Sequence, residues 1–347
     1  MRSVVLSKDG KLSISTSHEQ PTPKPNHVLV RVRAFAVNQQ DLKPTDEDRA
    51  TGCECVGVVE DCGDVKGLRV GATVAVIGAA GGVWRDHVLA PARNVIPLRV
   101  APPVPAMPLD AATWAKLASI PSTFLTAFLI CDTLDLRRQD RLLIRGGTSS
   151  VGLAVSSVAK AIGAVVAATT RDPTKAPNLS DNGADFVILE REGGIADDVR
   201  MMFPARDLLN SADDLSSATP ADTTGADKIV DLIGPTTLID SLRALKSPGG
   251  ICCLAGTLGG PSTNSVQFDP LIHLSSGQYL TRCDLKQVDL SRAPLQEIVD
   301  RVLEKSEFKL NLDRAFVMDD VVKMGEFVAA GNARGKIVVV VNDEMPS

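Results

Sequence analysis

The sequence predicts an α/β chain of two domains, one a β-rich barrel-like domain and the other a doubly wound parallel sheet. Three observations carry this expectation. Short strand-like runs separated by Gly, Pro and Asp turns fill roughly the first hundred residues. From Asp140 onward, apolar runs of strand length alternate with helical stretches, the pattern of a parallel sheet covered by helices. The stretch from Asp140 to Lys175 itself reads as strand, glycine turn, helix, strand and basic cluster, the order of a dinucleotide site.

Taken in order, Met1 to Ser15 alternates apolar and polar residues around Asp9-Gly10 and predicts a hairpin. Val28 to Val37, Cys55 to Asp61, Ala72 to Ile77 and Trp84 to Ala90 are the strand candidates of the first domain. Pro102 to Pro108 is a proline-rich passage, and Leu109 to Leu134 carries helical periodicity interrupted at Pro121. Strands then follow at Arg141 to Ile144, Val165 to Thr169, Asp185 to Leu189, Lys228 to Leu232 and Ile251 to Ala255, with Tyr279 on a later one. Asp207 to Gly225, rich in Ser, Asp, Thr and Ala, reads as a surface excursion. Helices at Leu295 to Lys305 and Asp319 to Ala330 and a last valine strand, Ile337 to Val341, form a tail that returns to the first domain. The expected boundaries are 1–118 with 285–347 for the barrel domain and 119–284 for the parallel-sheet domain.

The 347 residues suffice for two sizeable cores, and 44% hydrophobic with 23% charged residues is ordinary globular composition. A net charge of −5 argues against nucleic acid as a partner. No secretory signal is read at the start and no apolar run approaches the roughly 20 residues of a membrane span, so the expectation is a cytosolic protein without a membrane partner. Seven cysteines fit reduced thiols, and with four histidines and no repeated CxxC pair they do not supply four metal ligands at workable spacing. No metal is expected.

Leu142 to Ile144 feeds into Gly146-Gly147, and Gly152 falls just inside a helix whose apolar positions, from Val151 to Ile162, trace one face. A tight glycine turn lets backbone N–H groups approach a pyrophosphate at the positive end of a helix. The second strand ends in Thr169-Thr170-Arg171, with Lys175 beyond. An NAD site usually places a carboxylate about 20 residues past the turn to bind the ribose hydroxyls. Here the cations and hydroxyls suit a 2′-phosphate, while Asp172 is read as starting the Asp172-Pro173 turn. NADPH is the expected cofactor.

The chain resembles the medium-chain dehydrogenase/reductase superfamily, in its zinc-independent quinone oxidoreductase and enoyl reductase branch. The resemblance covers nearly the whole chain and rests on Val37-Asn38-Gln39-Gln40-Asp41-Leu42-Lys43, Gly52-Cys53-Glu54-Cys55, Gly71-Ala72-Thr73-Val74, Gly82 to Val88, Gly146-Gly147-Thr148-Ser149-Ser150-Val151-Gly152, Asp231-Leu232-Ile233-Gly234 and Ala255 to Gly260. It implies a GroES-like barrel domain with an inserted Rossmann domain. It also implies cofactor contacts from Asn38, Thr126, Gly147, Thr148, Ser149, Ser150, Val151, Thr170, Arg171, Lys175, Leu232, Gly256 and Leu258. Zinc-dependent relatives carry Cys and His where this sequence has Asn38 and Cys53. Between Asp41 and Gly52 lie ten residues, a shorter connection than relatives usually have, and the one tyrosine, Tyr279, is elsewhere.

Without a Lewis acid, conjugated acceptors are easier to reduce than simple ketones, because charge spreads onto a carbonyl oxygen. The expected activity is therefore NADPH-dependent hydride transfer to an activated C=C bond of a small quinone, enone or enoyl thioester. Catalytic candidates are Asn38, Lys43 and Cys53, with Asp41 a further proton-donor candidate; Asp41 and Glu54 are otherwise read as satisfying turn backbone groups. Two alternatives stay open: an NADPH-binding member without redox turnover, and a secondary-metabolism tailoring enzyme or cyclase using the same cleft. A monomer and a homodimer are both compatible with the sequence.

Overall fold

The computed structural model describes residues 1–79, 82–100, 108–205, 223–260 and 266–341. The chain divides into two compact units, Met1–Leu125 with Lys286–Ser306 and the chain from Leu310 onward, and Thr126–Leu285 with Glu307–Lys309. The first division thus falls at Leu125/Thr126, inside a helix. The proline-rich passage and the excursion expected at 207–225 lie largely outside the described residues.

The first unit is built on strands. The hairpin of β1 (Ser3–Leu6) and β2 (Leu12–Ser15) is antiparallel, as its alternation requires. β3 (His27–Val37) is the long central strand: Val28, Val30, Val32 and Phe35 bury into one cluster, while Arg31 and Arg33 stay half-buried. β4 (Arg49–Ala50), unanticipated, pairs with β1 inside the short Asp41-to-Gly52 connection. β5 (Glu54–Asp61), β6 (Thr73–Ile77), β7 (His87–Pro91) and β8 (Val95–Leu98) follow. β7 starts later than the expected Trp84, because the Trp84 backbone pairs elsewhere, its N–H donating to Thr51 O (3.0 Å) and its carbonyl accepting from Val4 N (2.8 Å). The Trp84 indole donates from Nε1 to the Ala36 carbonyl (3.2 Å) and stacks on Phe35 at 5.0 Å. Such a pair adds about 0.5–1.5 kcal/mol beyond burial.

α1 (Ala111–Ala118) is capped by Asp110, whose Oδ1 accepts from Thr113 N (2.8 Å), and Pro121 opens α2 (Pro121–Thr133). Contrary to the sequence reading, the stretch Ala111–Thr133 is by length and composition apolar enough to cross a membrane. Its most apolar window is 72% buried within the protein, as in a core helix.

In the second unit, β9 (Arg141–Arg145), α3 (Ser150–Ile162), β10 (Val165–Thr170), α4 (Ala176–Asp181), β11 (Phe186–Leu189), α5 (Ala196–Met202), β12 (Lys228–Asp231), α6 (Leu238–Ala244), β13 (Ile251–Leu254), α7 (Pro270–His273) and β14 (Tyr279–Arg282) alternate. The strands form one parallel sheet ordered β11-β10-β9-β12-β13-β14. The strand order reverses between β9 and β12, so the loops after these two strands diverge and leave a crevice at their carboxyl ends. Beneath it Leu143, Ala167, Ile229 and Leu242 belong to one buried cluster.

The tail returns to the first unit. The expected helix at 295–305 is α-helical only as α8 (Leu295–Val299). It continues as a wider turn, Asp300–Glu304, closed by Lys305 N donating to Asp300 O (2.9 Å). β15 (Leu312–Val317), α9 (Val321–Ala329) and β16 (Lys336–Val340) complete it. β16 pairs antiparallel with β3, giving a seven-stranded sheet ordered β15-β16-β3-β5-β6-β8, with β7 also on β3.

Candidate functional site

In the first unit the site is set by strand register. β3 ends at Val37, whose partner on β16 is Ile337, and Phe35 pairs with Cys55 on β5. Lys336 and Glu54, each one residue before those partners, are thereby delivered to either side of Asn38. The Lys336 ammonium donates to Asn38 Oδ1 (2.6 Å) and Glu54 Oε1 (2.9 Å), with the two charged side chains 2% and 1% exposed. Asn38 Nδ2 donates to Glu54 Oε1 (2.9 Å) and Cys53 Sγ (3.2 Å). Gln40 Nε2 reaches the same sulfur at 3.3 Å, and that thiol lies 3.7 Å from Asp41 Oδ2 as its acceptor. Ser122 completes the shell, donating from N to Glu54 Oε2 (2.9 Å) and from Oγ to Oε1 (2.5 Å).

These contacts fix the charges. Burial pushes the Glu54 carboxyl upward, but Lys336, Ser122 and Asn38 outweigh it and hold the group below its ordinary value. Burial raises Asp41, against the Asn38 N–H that donates to it (2.9 Å). Burial, then the Asp41 and Glu54 charges, push the half-buried Cys53 thiol far above its ordinary range, so it stays protonated.

Asn38 and Cys53 are thus brought together, while Lys43 is exposed and joins the turn through its carbonyl, which accepts from Arg49 Nη2 (3.2 Å). Asp41 does satisfy the Asn38 backbone, as expected. For Glu54 the backbone role is the lesser part: its partner Lys336 was absent from the sequence reading. The available signal was a lysine at the mouth of an otherwise apolar strand, after Gly335.

In the second unit β9 runs into Gly146, whose φ of +79° suits a residue without Cβ. Gly146 N donates to Thr169 Oγ1 (3.1 Å) and Gly147 N to Thr169 O (3.1 Å), so the end of β10 holds the turn. Thr169 is therefore a brace of the turn and not a free hydroxyl. Ser149 caps α3, its Oγ accepting from Gly152 N (3.1 Å) and donating to Gly146 O (2.8 Å). The N–H groups of Ser150 and Val151 fall in the first helical turn, where no helix carbonyl precedes them. A Cβ on Gly152 would lie 2.6 Å from Gly146 O, so the helix start packs directly against the turn. Thr148 is half-buried within it.

Across the crevice, Leu258 N donates to Leu232 O (3.0 Å), and a Cβ on Gly256 would strike that same carbonyl at 2.4 Å. Leu258 Cδ1 comes within 3.0 Å of the place a Gly146 Cβ would occupy. Leu232, Gly256 and Leu258 thus gather beside the glycine turn, whereas Thr126 lies half-buried on α2. Thr170 Oγ1 is committed to the Asp172 backbone, at 3.0 Å to its O and 3.1 Å from its N. Asp172 turns its carboxylate onto Thr174, accepting from N (2.9 Å) and Oγ1 (2.7 Å), which leaves Arg171 exposed at the strand tip and Lys175 half-buried one turn on.

The sequence reading missed the support beneath. The 1%-exposed Arg145 binds Glu190 (2.5 Å) and Asp240 (2.8 Å), and Asp231 Oδ1 accepts from Ile233 N and Gly234 N, both at 2.9 Å. These two residues anchor the ends of β9 and β12, the strands that flank the crevice.

Residues 24–100 match the family model described as alcohol dehydrogenase GroES-like domain, and residues 150–282 match the one described as zinc-binding dehydrogenase. Over 215 residues the chain is 28% identical to the synaptic vesicle membrane protein VAT-1 of Tetronarce californica, covering 59% of this chain and 54% of that protein. It is 32% identical over 232 residues to the spectinabilin polyketide synthase system protein NorB of Streptomyces orinoci, covering 65% of this chain and 9% of that protein. The chain therefore spans about half of the first of these relatives and a small part of the second. The fold is shared with the Escherichia coli quinone oxidoreductase solved with NADPH, at a TM-score of 0.79 and 18% identity over 98% of this chain and all of that one. With a GroES-like barrel unit and a Rossmann unit, both matched by their family models, the chain belongs to the medium-chain dehydrogenase/reductase superfamily.

Proposed function

We propose that the protein is an NADPH-dependent reductase of activated C=C bonds in small quinones, enones or enoyl thioesters. The observation that carries the cofactor half is the tip of β10: Asp172 Oδ1 caps the following turn at Thr174, and the exposed Arg171 follows Thr170. A ribose 2′-phosphate would meet a guanidinium there, while the Asp172 carboxylate is turned into its own turn. Gly147, Thr148 and the Ser150 and Val151 N–H groups would hold the pyrophosphate at the start of α3, with Leu232, Gly256 and Leu258 lining the nicotinamide end. The start of α3 supports this reading, since a Cβ on Gly152 would meet Gly146 O at 2.6 Å, so the helix N-terminus lies directly against the glycine turn. Reduced nicotinamide, when bound, supplies the hydride.

For the acceptor, the cluster around Asn38 offers hydrogen bonding with its charges paired. Lys336 and Glu54 neutralise each other, Asn38 spends its amide on both and on Cys53, and Cys53 keeps its proton. A thiol so reluctant to ionise is a poor proton donor at neutral pH. This leaves the raised Asp41 carboxyl or solvent as the source of the proton that completes reduction, and the exposed Lys43 stands outside this cluster. Such a site suits acceptors that carry their own charge sink, a conjugated carbonyl. The relatives fit this reading, one by its printed name a quinone oxidoreductase and one a polyketide synthase protein.

Stopped-flow oxidation of NADPH against panels of quinones, enones and enoyl thioesters tests the acceptor. Turnover with at least one panel is expected, and none with any would overturn that half. Calorimetric titration with NADPH and NADH tests the cofactor separately, with the phosphate-bearing form expected to bind more tightly.

A further inference from the structure

The second unit holds two neighbouring thiols that the proposed chemistry does not use. β13 and β14 run parallel, with Cys253 opposite Thr281 and Leu254 opposite Arg282. Side chains alternate along a strand, so Cys283, two residues beyond Thr281, faces the same side of the sheet as Cys253. Cys252, by the same alternation, takes the other face, in the cluster of Leu143 and Ile229. Cys283 N donates to Leu254 O (3.0 Å) and so extends the ladder by one residue past the end of β14. The Cys253 sulfur lies against both the thiol and the backbone N–H of Cys283.

We propose that Cys253 and Cys283 form a reversible disulfide when the protein meets a hydroperoxide, and that closing it loosens the turn that follows β13. Three observations carry this. The thiols are already in contact on one face of adjacent strands, so no other group has to move from between them. Access is graded, since Cys283 is 7% exposed at the strand end and Cys253 not at all, which makes Cys283 the sulfur a small peroxide reaches first. The roles are graded in the same sense. The Cys253 thiol donates to Cys283 Sγ, which draws the Cys283 thiol below its ordinary value and, together with burial, pushes Cys253 up.

Cys283 Sγ therefore attacks a peroxide oxygen: the S–O bond forms, the O–O bond breaks, and the departing oxygen takes the Cys283 proton and leaves as water or alcohol. Cys253 Sγ then displaces the hydroxyl from the sulfenic acid. The S–S bond forms, the S–O bond breaks, and the hydroxyl leaves as water with the Cys253 proton. Two electrons have passed from the thiols to the peroxide. Strands about 4.8 Å apart, with an advance of about 6.6 Å over two residues, set this diagonal pair about 8 Å apart at Cα. A disulfide spans about 4.4–6.8 Å, so closing it draws Cys283 back along β13 and pulls its N–H off Leu254 O. Leu254 leads into the turn held by Ala255 N on Asp231 O (3.0 Å) and Leu258 N on Leu232 O (3.0 Å). The function proposed above places Gly256 and Leu258 of this turn at the nicotinamide, so the disulfide acts on cofactor binding, a consequence that alone rests on that reading.

The test treats the reduced full-length protein with hydrogen peroxide, blocks the remaining thiols with iodoacetamide and maps its peptides by mass spectrometry. The protein is expected to lose two of its seven free thiols to one Cys253–Cys283 linked peptide and to regain both with dithiothreitol. Backbone hydrogen exchange at Ala255 and Leu258 should be faster in the oxidised protein than in the reduced one. Cys253→Ala should stop at a sulfenic acid on Cys283, trapped by dimedone. Cys131, on α2, lies near enough to feel the Cys283 charge, so a Cys131–Cys283 link would overturn the pairing. Oxidation confined to Cys53, or no thiol lost, would overturn it too, and unchanged exchange in linked protein would overturn the loosened turn. Mapping on the native protein decides the pairing even where a variant does not fold. Link and exchange are both read without nucleotide, so they stand or fall apart from the cofactor assignment.

Discussion

Lys336 Nζ lies 2.9 Å from Glu54 Oε1, across 282 positions of sequence, with both side chains withdrawn from solvent. The pair exists because β16 and β5 flank β3 on opposite sides, and each brings one charge to its end. A charge left alone there has no water to turn to. Lys336→Met should cost about 3–5 kcal/mol, and Glu54→Gln a comparable amount. The double variant should recover much of the loss, since neither charge is then orphaned. Urea denaturation of all four proteins gives the cycle, and simple additivity of the two losses would contradict it.

The same pair sets a pH dependence. The folded Glu54 value lies below the ordinary 4.5, so its stabilisation is full above the unfolded value and is lost as pH falls through the lower folded one. Asp41 has the opposite sign: its folded value lies above 3.8, so its contribution is full at low pH and fades as pH rises through the folded value. The advantage of the native protein over Glu54→Gln should therefore shrink as pH falls below about 4.5. Asp41→Asn should gain on the native protein as pH rises. Urea midpoints measured as a function of pH check both, and parallel curves would show that neither carboxyl titrates differently in the fold.

Arg171→Ala should weaken NADPH binding about tenfold to a hundredfold, the cost of losing charged hydrogen bonds, while leaving NADH nearly unchanged. Asp172→Ala should instead loosen the turn at Thr174 and lower stability by about 1 kcal/mol, the usual cost of a lost cap. Titration with both nucleotides and thermal melts separate the two effects. An unchanged NADPH to NADH ratio in Arg171→Ala would remove the basis for the phosphate assignment.

What could be read from the sequence follows contact range. The strand, glycine turn and helix from Arg141 to Ile162 lie within a few residues of one another, so local spacing carried them, and Asp172 was correctly placed in its own turn. Within the glycine turn the hydroxyls also carry structural bonds that spacing alone does not foretell. Thr169 Oγ1 accepts from Gly146 N and Ser149 caps α3 through Gly152 N, bonds that depend on how the end of β10 meets the turn. The Lys336–Glu54–Asn38 cluster was illegible because it depends on the register of β16 and β5 against β3, a non-local property that no periodicity encodes. Arg145 was hidden for the same reason, its acceptors lying 45 and 95 residues away.

Gly152→Ala tests the cradle itself. The added Cβ would sit 2.6 Å from Gly146 O, 2.7 Å from Gly147 O and 2.8 Å from Gly147 Cα, all backbone atoms of a turn held by Thr169. None can swing aside as a side-chain tip would, so the start of α3 must move away from the turn. That shift breaks the Ser149 cap on Gly152 N and displaces the N–H groups of Ser150 and Val151. Overpacking of this kind costs about 1–3 kcal/mol, which the buried face of α3, including Leu153, Ala154 and Val155, should withstand. The expected result is a folded protein with a lowered melting temperature and NADPH affinity reduced by at least about tenfold, since two aligned N–H donors to an anion are lost together. Fluorescence titration with NADPH beside a thermal melt distinguishes the outcomes: a protein that melts lower yet binds NADPH as before would mean that the pyrophosphate does not rest on this helix.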